Sequence, residues 1–180
     1  VFATLFGGVG HDEALVVDIG TGSGCIAISL ALAQPALRCI GIDVSNTALE
    51  LARENAVALG VKERVAFACA DLADCVEPET VDVIVANLPY ITSTECEALP
   101  PDVRDFDPRI ALDGGPDGLD VMRDVVPDAA IALRPGGRIF LEIGGAQAPA
   151  VRTLLESEGF RDIAIGRDLA GRDRIAAGTI

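Results

Sequence analysis

Val16-Val17-Asp18-Ile19-Gly20-Thr21-Gly22-Ser23-Gly24-Cys25 reads as an apolar run, a glycine-rich turn and the start of a helix. Leu15–Ile19 is a short buried strand that stops at the glycines. Cys25–Ala33 continues as an apolar helix, closed by Pro35. Glycine tolerates positive φ and lets a ligand approach the backbone, and the helix N-terminus offers unpaired N–H groups. By itself this strand–turn–helix unit indicates a nucleotide-like ligand.

Outward from it, apolar runs alternate with helical patterns, which argues for a parallel sheet flanked by helices. Arg38–Ile42 is the second strand. Ser45 is a good N-cap for a helix over Thr47–Leu59, which Gly60 ends. Val65–Ala68 and Val81–Ala86 are the third and fourth strands. Ile91–Gly118, rich in Pro, Asp and Gly, reads as a long loop with little regular structure, and such loops inside compact domains are often functional. Leu119–Leu133 returns to helix, Arg134-Pro135-Gly136-Gly137 is a turn, Arg138–Ile143 is the fifth strand, and Ala148–Glu158 is the last helix, stopped by Gly159. Asp162–Arg167 and Arg172–Gly178 are joined by only Asp168-Leu169-Ala170-Gly171. So short a connection requires an antiparallel hairpin, because a parallel return needs a crossover of roughly a dozen residues. The expected fold is α/β, a mostly parallel sheet of seven strands with an antiparallel C-terminal hairpin, forming one domain over 1–180 with 1–14 as a lead-in.

The composition agrees with one globular core: 180 residues, half of them apolar. No apolar run reaches the ~18 residues of a membrane span, and the N-terminus lacks the basic start of a secretory signal. A cytosolic location is the expectation. The formal net charge is −14 and Lys62 is the only lysine. Nucleic-acid affinity comes largely from Lys and Arg neutralising phosphates, so the charge favours a protein or small-molecule substrate over nucleic acid or membrane. Five cysteines make no Cys-x-x-Cys pair. Cys25, Cys39 and Cys69 lie in apolar segments and read as small reduced hydrophobes, with no metal site. His11, the sole histidine, precedes the first strand without a visible partner, which excludes a histidine-based triad.

The glycine spacing narrows the ligand. A dinucleotide fingerprint would put its third glycine at Cys25 or Ala27. The observed Gly-x-Gly-x-Gly instead resembles the S-adenosylmethionine (SAM) loop of class I methyltransferases, with Gly20, Thr21, Gly22 and Gly24 at the cofactor. Asp43 ends the second strand roughly 20 residues on, where a carboxylate can accept both ribose hydroxyls. A plain alternative is an aspartate stabilising a helix start. Val44 beside it joins the cofactor set. Asp71 ends the third strand, where this fold often has an adenine contact, with Leu72 beside the ring; the alternative there is a turn aspartate. Asp18 either orients the loop or meets the methionine ammonium.

Asn87-Leu88-Pro89-Tyr90 follows the fourth strand and so lies at the same carboxyl edge as the glycine loop, where open α/β sheets bind ligands. The motif resembles the Asn-Pro-Pro-Tyr box of methyltransferases acting on nitrogen attached to a planar group. A planar amide presents N–H donors, so the site needs acceptors: the Asn87 side-chain oxygen and the Leu88 carbonyl, with Asn87 also counted in the cofactor set. Pro89 stiffens the turn and Tyr90 can stack on the flat acceptor.

Further blocks carry a more specific resemblance. They are Asp18 to Ala27, Asp107-Pro108-Arg109-Ile110-Ala111-Leu112 with Gly114-Gly115-Pro116-Asp117-Gly118-Leu119, Leu141-Glu142-Ile143-Gly144 with Gln147, and Asp168-Leu169-Ala170-Gly171-Arg172-Asp173-Arg174. Together they resemble the HemK/PrmC-type protein methyltransferases, from about Leu15 to Ile180. That resemblance implies methylation of the glutamine amide in the Gly-Gly-Gln motif of peptide-chain release factors, with SAM as methyl donor, S-adenosylhomocysteine as product and a long loop that shapes a pocket for substrate peptide. Leu88 stands where the family has proline. Family members also carry an N-terminal helical domain and a Pro-Arg-Pro-Glu-like segment; fourteen residues precede the first strand here, and neither feature is among them. Two other readings stay open: an adenine or cytosine amino-methyltransferase, and a SAM-binding paralogue without turnover. A nicotinamide oxidoreductase lacks its third glycine.

Overall fold

The computed structural model of the protein describes residues 14–70 and 75–180. His11, and Asp71 and Leu72 of the expected cofactor set, lie outside the described residues.

The elements run β1 (Leu15–Ile19), α1 (Cys25–Ala33), β2 (Arg38–Asp43), α2 (Asn46–Ala58), β3 (Val65–Cys69), β4 (Val81–Ala86), α3 (Ser93–Glu97), α4 (Pro101–Arg104), a single 3-10 turn (Arg109–Ala111), α5 (Asp120–Ala132), β5 (Leu133–Glu142), α6 (Ala148–Ser157), β6 (Arg161–Arg167) and β7 (Asp173–Thr179). The sheet has seven strands in the order β3-β2-β1-β4-β5-β7-β6. β1 to β5 pair in parallel, and β7 lies antiparallel between β5 and β6. The expected fold class and hairpin are both observed.

Successive strand residues point to opposite faces, and the core divides accordingly. Val16, Val83, Val85 and Phe140 pack with Ala27, Ile28 and Leu30 of α1. Val17, Ile84, Ile139 and Leu141 pack with Met122 and Val126 of α5 and Val151 and Leu155 of α6. Both faces are covered, which is why these strands are rich in Val and Ile on both faces rather than alternating regularly with polar residues. At the amino edge, buried Asp82 accepts the Leu15 N–H at 2.7 Å and pairs with Arg134, tying the starts of β1, β4 and β5 together.

Three expectations need correction. Ile91–Gly118 is not structureless. Thr92 caps α3 with a reciprocal capping box, its hydroxyl accepting the Glu95 N–H at 3.2 Å while the Glu95 carboxylate accepts the Thr92 N–H at 3.1 Å. The signal was present as Thr92-x-x-Glu95; the density of Pro, Asp and Gly around it hid a helix of five residues. Arg134-Pro135-Gly136-Gly137 does not precede the fifth strand but interrupts it. Val81 pairs with Leu133 and Val83 with Arg138, so the extra residues bulge out of a strand that has already begun. Of the three cysteines read as small reduced hydrophobes in apolar segments, Cys39 is buried, and burial pushes its thiol up to about 12. Cys25 and Cys69 are exposed, because they stand at the first position of α1 and the last of β3, where no packed layer covers them.

Candidate active site at the carboxyl edge of the sheet

Strand register brings the site together. Ile19 pairs with Ile42 on one side and Ala86 on the other. The next residues along these three strands are Gly20, Asp43 and Asn87. The chain leaves β1 toward β2 on one side and returns to β4 on the other, so this is the crevice where open α/β sheets hold ligands.

The loop glycines serve different ends. Gly20, Gly22 and Gly24 have φ of +66°, +56° and +81°. A Cβ at Gly22 would meet nothing within 4 Å, leaving its face open to a ligand. At Gly24 a Cβ would come within 2.9 Å of Ile28 Cδ1 and 3.2 Å of both Ala52 and Phe67, so that glycine lets α1 pack closely. Asp43 holds the loop from the next strand. Its Oδ2 accepts the Gly22 N–H at 2.8 Å and its Oδ1 accepts the Ser45 N–H at 2.9 Å. Each oxygen keeps a further lone pair for a hydroxyl. Val44 beside it is exposed. Ser45 caps α2 as expected, accepting the Ala48 N–H at 3.3 Å.

Asp18 and Thr21 face inward. Asp18 is fully buried, and its Oδ2 accepts the Thr21 hydroxyl at 2.7 Å and the Ala27 N–H at 3.0 Å. It therefore orients the glycine loop, and it also satisfies one first-turn N–H of α1, which has no side-chain cap. Its Oδ1 has no hydrogen-bond partner among the described residues. Burial raises the Asp18 carboxyl from 3.8 to about 6. Folding thus favours the neutral form; its contribution is complete below about pH 4 and is lost as pH rises through about 6. Relative to Asp18→Asn, the wild-type chain should lose on the order of 3 kcal/mol of unfolding free energy across that window. Parallel pH dependences of the two chains in thermal or urea melts would remove this account of Asp18.

The expected transfer motif sits beside the loop. Asn87 is exposed. Leu88 is 4% exposed and belongs to the core, its Cδ2 3.6 Å from where a Gly20 Cβ would stand. The leucine side chain thus fills space beneath the glycine loop. Behind the motif lies the Gly114–Gly118 block. A Cβ at Gly114 would stand 2.6 Å from the Pro89 carbonyl oxygen, and one at Gly118 would stand 2.2 Å from that of Tyr90. Ile91 and Asp113 form a bridge, with the Gly114 N–H donating to the Ile91 carbonyl at 2.8 Å. The long segment therefore closes back onto the residues that follow β4.

Three residues outside the expected site complete it. Gln147 Nε2 donates to the carbonyls of Tyr90 at 2.9 Å and Gly118 at 3.1 Å, and its Oε1 accepts the Gly144 N–H at 2.7 Å. The Tyr90 hydroxyl donates to Glu142 at 3.3 Å and accepts from Arg174 at 3.3 Å. Burial, then the Glu142 charge, raises the phenol above its ordinary value, so it remains a neutral donor. These three side chains come from the end of β5, the start of α6 and β7. Their motif blocks are visible in the sequence, but no spacing rule links them to Tyr90. Among the described residues, no group of three or more His, Cys, Asp or Glu could hold a metal ion, and no helix is long and apolar enough to cross a membrane.

Comparison with known proteins bears on the family and the fold. Residues 11–147 match the family model described as a methyltransferase domain. Proteins named release factor glutamine methyltransferase are similar at 47% identity in Cereibacter sphaeroides, over 91% of this chain and 59% of that protein. The protein of that name in Moorella thermoacetica is also 47% identical, over 88% of this chain and 56% of its own. The chain thus spans less than three fifths of the length of these relatives, and the resemblance drawn from the motif blocks is borne out. Among solved structures, a SAM-dependent O-methyltransferase from Thermotoga maritima superposes with a TM-score of 0.70 at 15% identity, covering 99% of this chain and 62% of that one. A Haemonchus contortus phosphoethanolamine N-methyltransferase in complex with SAM gives 0.65 at 15% identity, covering 96% of this chain and 50% of that one. At these identities the likeness concerns the fold.

Proposed function

The chain belongs to the methyltransferase-domain family, and on that premise we propose that it transfers a methyl group from SAM to a planar side-chain amide nitrogen, the glutamine of the Gly-Gly-Gln motif in a peptide chain release factor. The observation that carries this reading is the adjacency of Gly20 and Asn87 on neighbouring strands, with the Gly114–Gly118 block closed against Pro89 and Tyr90. The names of the relatives support the same acceptor. The residues fit the cofactor: an open Gly22 face, an Asp43 carboxylate with lone pairs to spare, and an exposed Val44 beside it. Asp43 accepts the ribose hydroxyls, and the loop backbone borders the methionine and adenosine parts. SAM, when bound, would supply a methyl group on positively charged sulfur; the sulfur would keep the S–C bonding pair as S-adenosylhomocysteine, and the amide nitrogen would give up one of its two protons to solvent.

The protein's own part is alignment. The Asn87 side-chain oxygen and the Leu88 carbonyl accept the two N–H bonds of the amide, which fixes the nitrogen and turns its out-of-plane face toward the methyl. Tyr90 supports the flat group, and the Gly114–Gly118 segment backs the motif from behind. Holding two reactants in line in this way replaces a bimolecular encounter with a positioned one. The net charge of −14 suits a protein acceptor better than a polyphosphate.

The test is transfer of label from SAM to a purified release factor, beside a Gly-Gly-Gln to Gly-Gly-Ala control. Label is expected on the glutamine-containing factor alone. Equal label on both factors, or none in a preparation that binds SAM, would overturn this acceptor.

A further inference from the structure

The Asp168–Arg174 block lies on the C-terminal hairpin, and its last residue reaches the Tyr90 hydroxyl. β7 is antiparallel to β5, and the register pairing Glu142 with Ile175 sets Arg174 beside the last residue of β5. The Tyr90 hydroxyl lies between them, donating to Glu142 Oε1 and accepting from Arg174 Nη1, each at 3.3 Å. The Arg174 guanidinium stands over the same ring, 5.9 Å from its centroid. Arg174 is itself held, by the Ile143 carbonyl at 3.3 Å and by Asp168 Oδ2 at 3.8 Å. Asp168 is fixed by the hairpin turn, its Oδ1 accepting the N–H groups of Ala170 at 2.8 Å and Arg172 at 3.0 Å. Its Oδ2 takes the Arg172 guanidinium at 2.9 Å.

This chain of contacts has a mechanical consequence. Gln147 grips the Tyr90 carbonyl, which fixes where the side chain starts but leaves its two torsions free. The hydroxyl contacts set those torsions. We propose that Glu142 and Arg174 are positioning residues for the methyl acceptor, acting through the Tyr90 hydroxyl to fix the plane of the ring on which the acceptor amide stacks. The inference rests on the transfer-site reading above and adds to it the C-terminal hairpin as the part of the fold that orients the acceptor.

Tyr90 is the only tyrosine and there is no tryptophan, so the ultraviolet phenolate absorbance reports this ring alone. The Glu142 charge raises the phenol and the Arg174 charge lowers it. Glu142→Gln is therefore expected to lower the titration midpoint and Arg174→Gln to raise it. Mere loosening of the hairpin would expose the ring in both variants and lower both midpoints, which would overturn the proposal.

Kinetics supply the second arm. Tyr90→Phe and Glu142→Gln should each lower kcat by roughly 3- to 10-fold, as expected for one modest hydrogen bond, with the Kd for SAM unchanged. The double variant should be no slower than Tyr90→Phe alone, because Glu142 acts only through the hydroxyl. Additive losses would overturn the proposal. If the wild-type chain places no methyl on the release factor, the acceptor reading fails by itself, and the titration still decides whether Glu142 and Arg174 clamp Tyr90.

Discussion

Replacing Asn87 with alanine is expected to lower turnover by about 10²- to 10³-fold, the usual cost of removing one preorganised polar group from a reacting centre. SAM affinity should stay within about twofold, since a uniform binding loss is not what this side chain controls. Asn87 is exposed at the end of β4, so its removal leaves no cavity and no buried donor without an acceptor. Stability should therefore be unaltered, and a melting curve superimposable on that of the wild type is part of the expected result. The loss arises because an amide nitrogen without its acceptor can rotate away from the methyl, and a small misplacement at this point costs orders of magnitude in rate. Near-normal turnover in Asn87→Ala would sink the assignment of the transfer site while leaving the fold untouched.

Gly118→Ala is expected to be the most damaging single-methyl change at the site. Gly118 has φ +75°, a region that costs an L-residue roughly 1–2 kcal/mol. The added Cβ would also fall 2.2 Å from the Tyr90 carbonyl oxygen and 2.5 Å from Gln147 Nε2. The first neighbour is backbone and cannot swing aside. Either the Tyr90 turn shifts, or Gln147 gives up the carbonyls it joins. A combined cost of roughly 3 kcal/mol or more follows, which for a chain of this size lowers the midpoint of thermal unfolding by roughly 6–12 °C. Gly136→Ala is the control. Gly136 has φ +82° but a Cβ there would meet nothing within 4 Å, so only the backbone strain of roughly 1–2 kcal/mol applies, roughly 2–8 °C. Equal shifts in the two variants would mean that the Gly118 contact carries no weight.

Much of the architecture was legible because it follows from short-range rules. Four strand runs before the long segment lie within a residue of their expected limits, since apolar Val and Ile stretches bounded by glycine or polar turns have few other uses. The hairpin followed from connection length alone. The five-residue helix α3 escaped because its capping box is a local signal inside a composition that reads as loop. The bulge in β5 escaped for a different reason. Arg134-Pro135-Gly136-Gly137 is turn chemistry, and only the pairing of Leu133 with Val81 reveals that the strand starts before it.

The sequence by itself determined the parts of the site that lie on contiguous chain: the glycine loop, the carboxylate ending β2 and the Asn87–Tyr90 motif, each at a strand's carboxyl end. Only the tertiary structure decided how those parts are supported. Glu142, Gln147 and Arg174 reach Tyr90 across separations of 52, 57 and 84 residues. Those meetings depend on strand order and antiparallel register, which set distances in space that spacing along the chain does not encode. The inward turn of Asp18 and Leu88 was likewise a matter of packing, because a side chain at a strand end can face ligand or core until the neighbouring strands fix which.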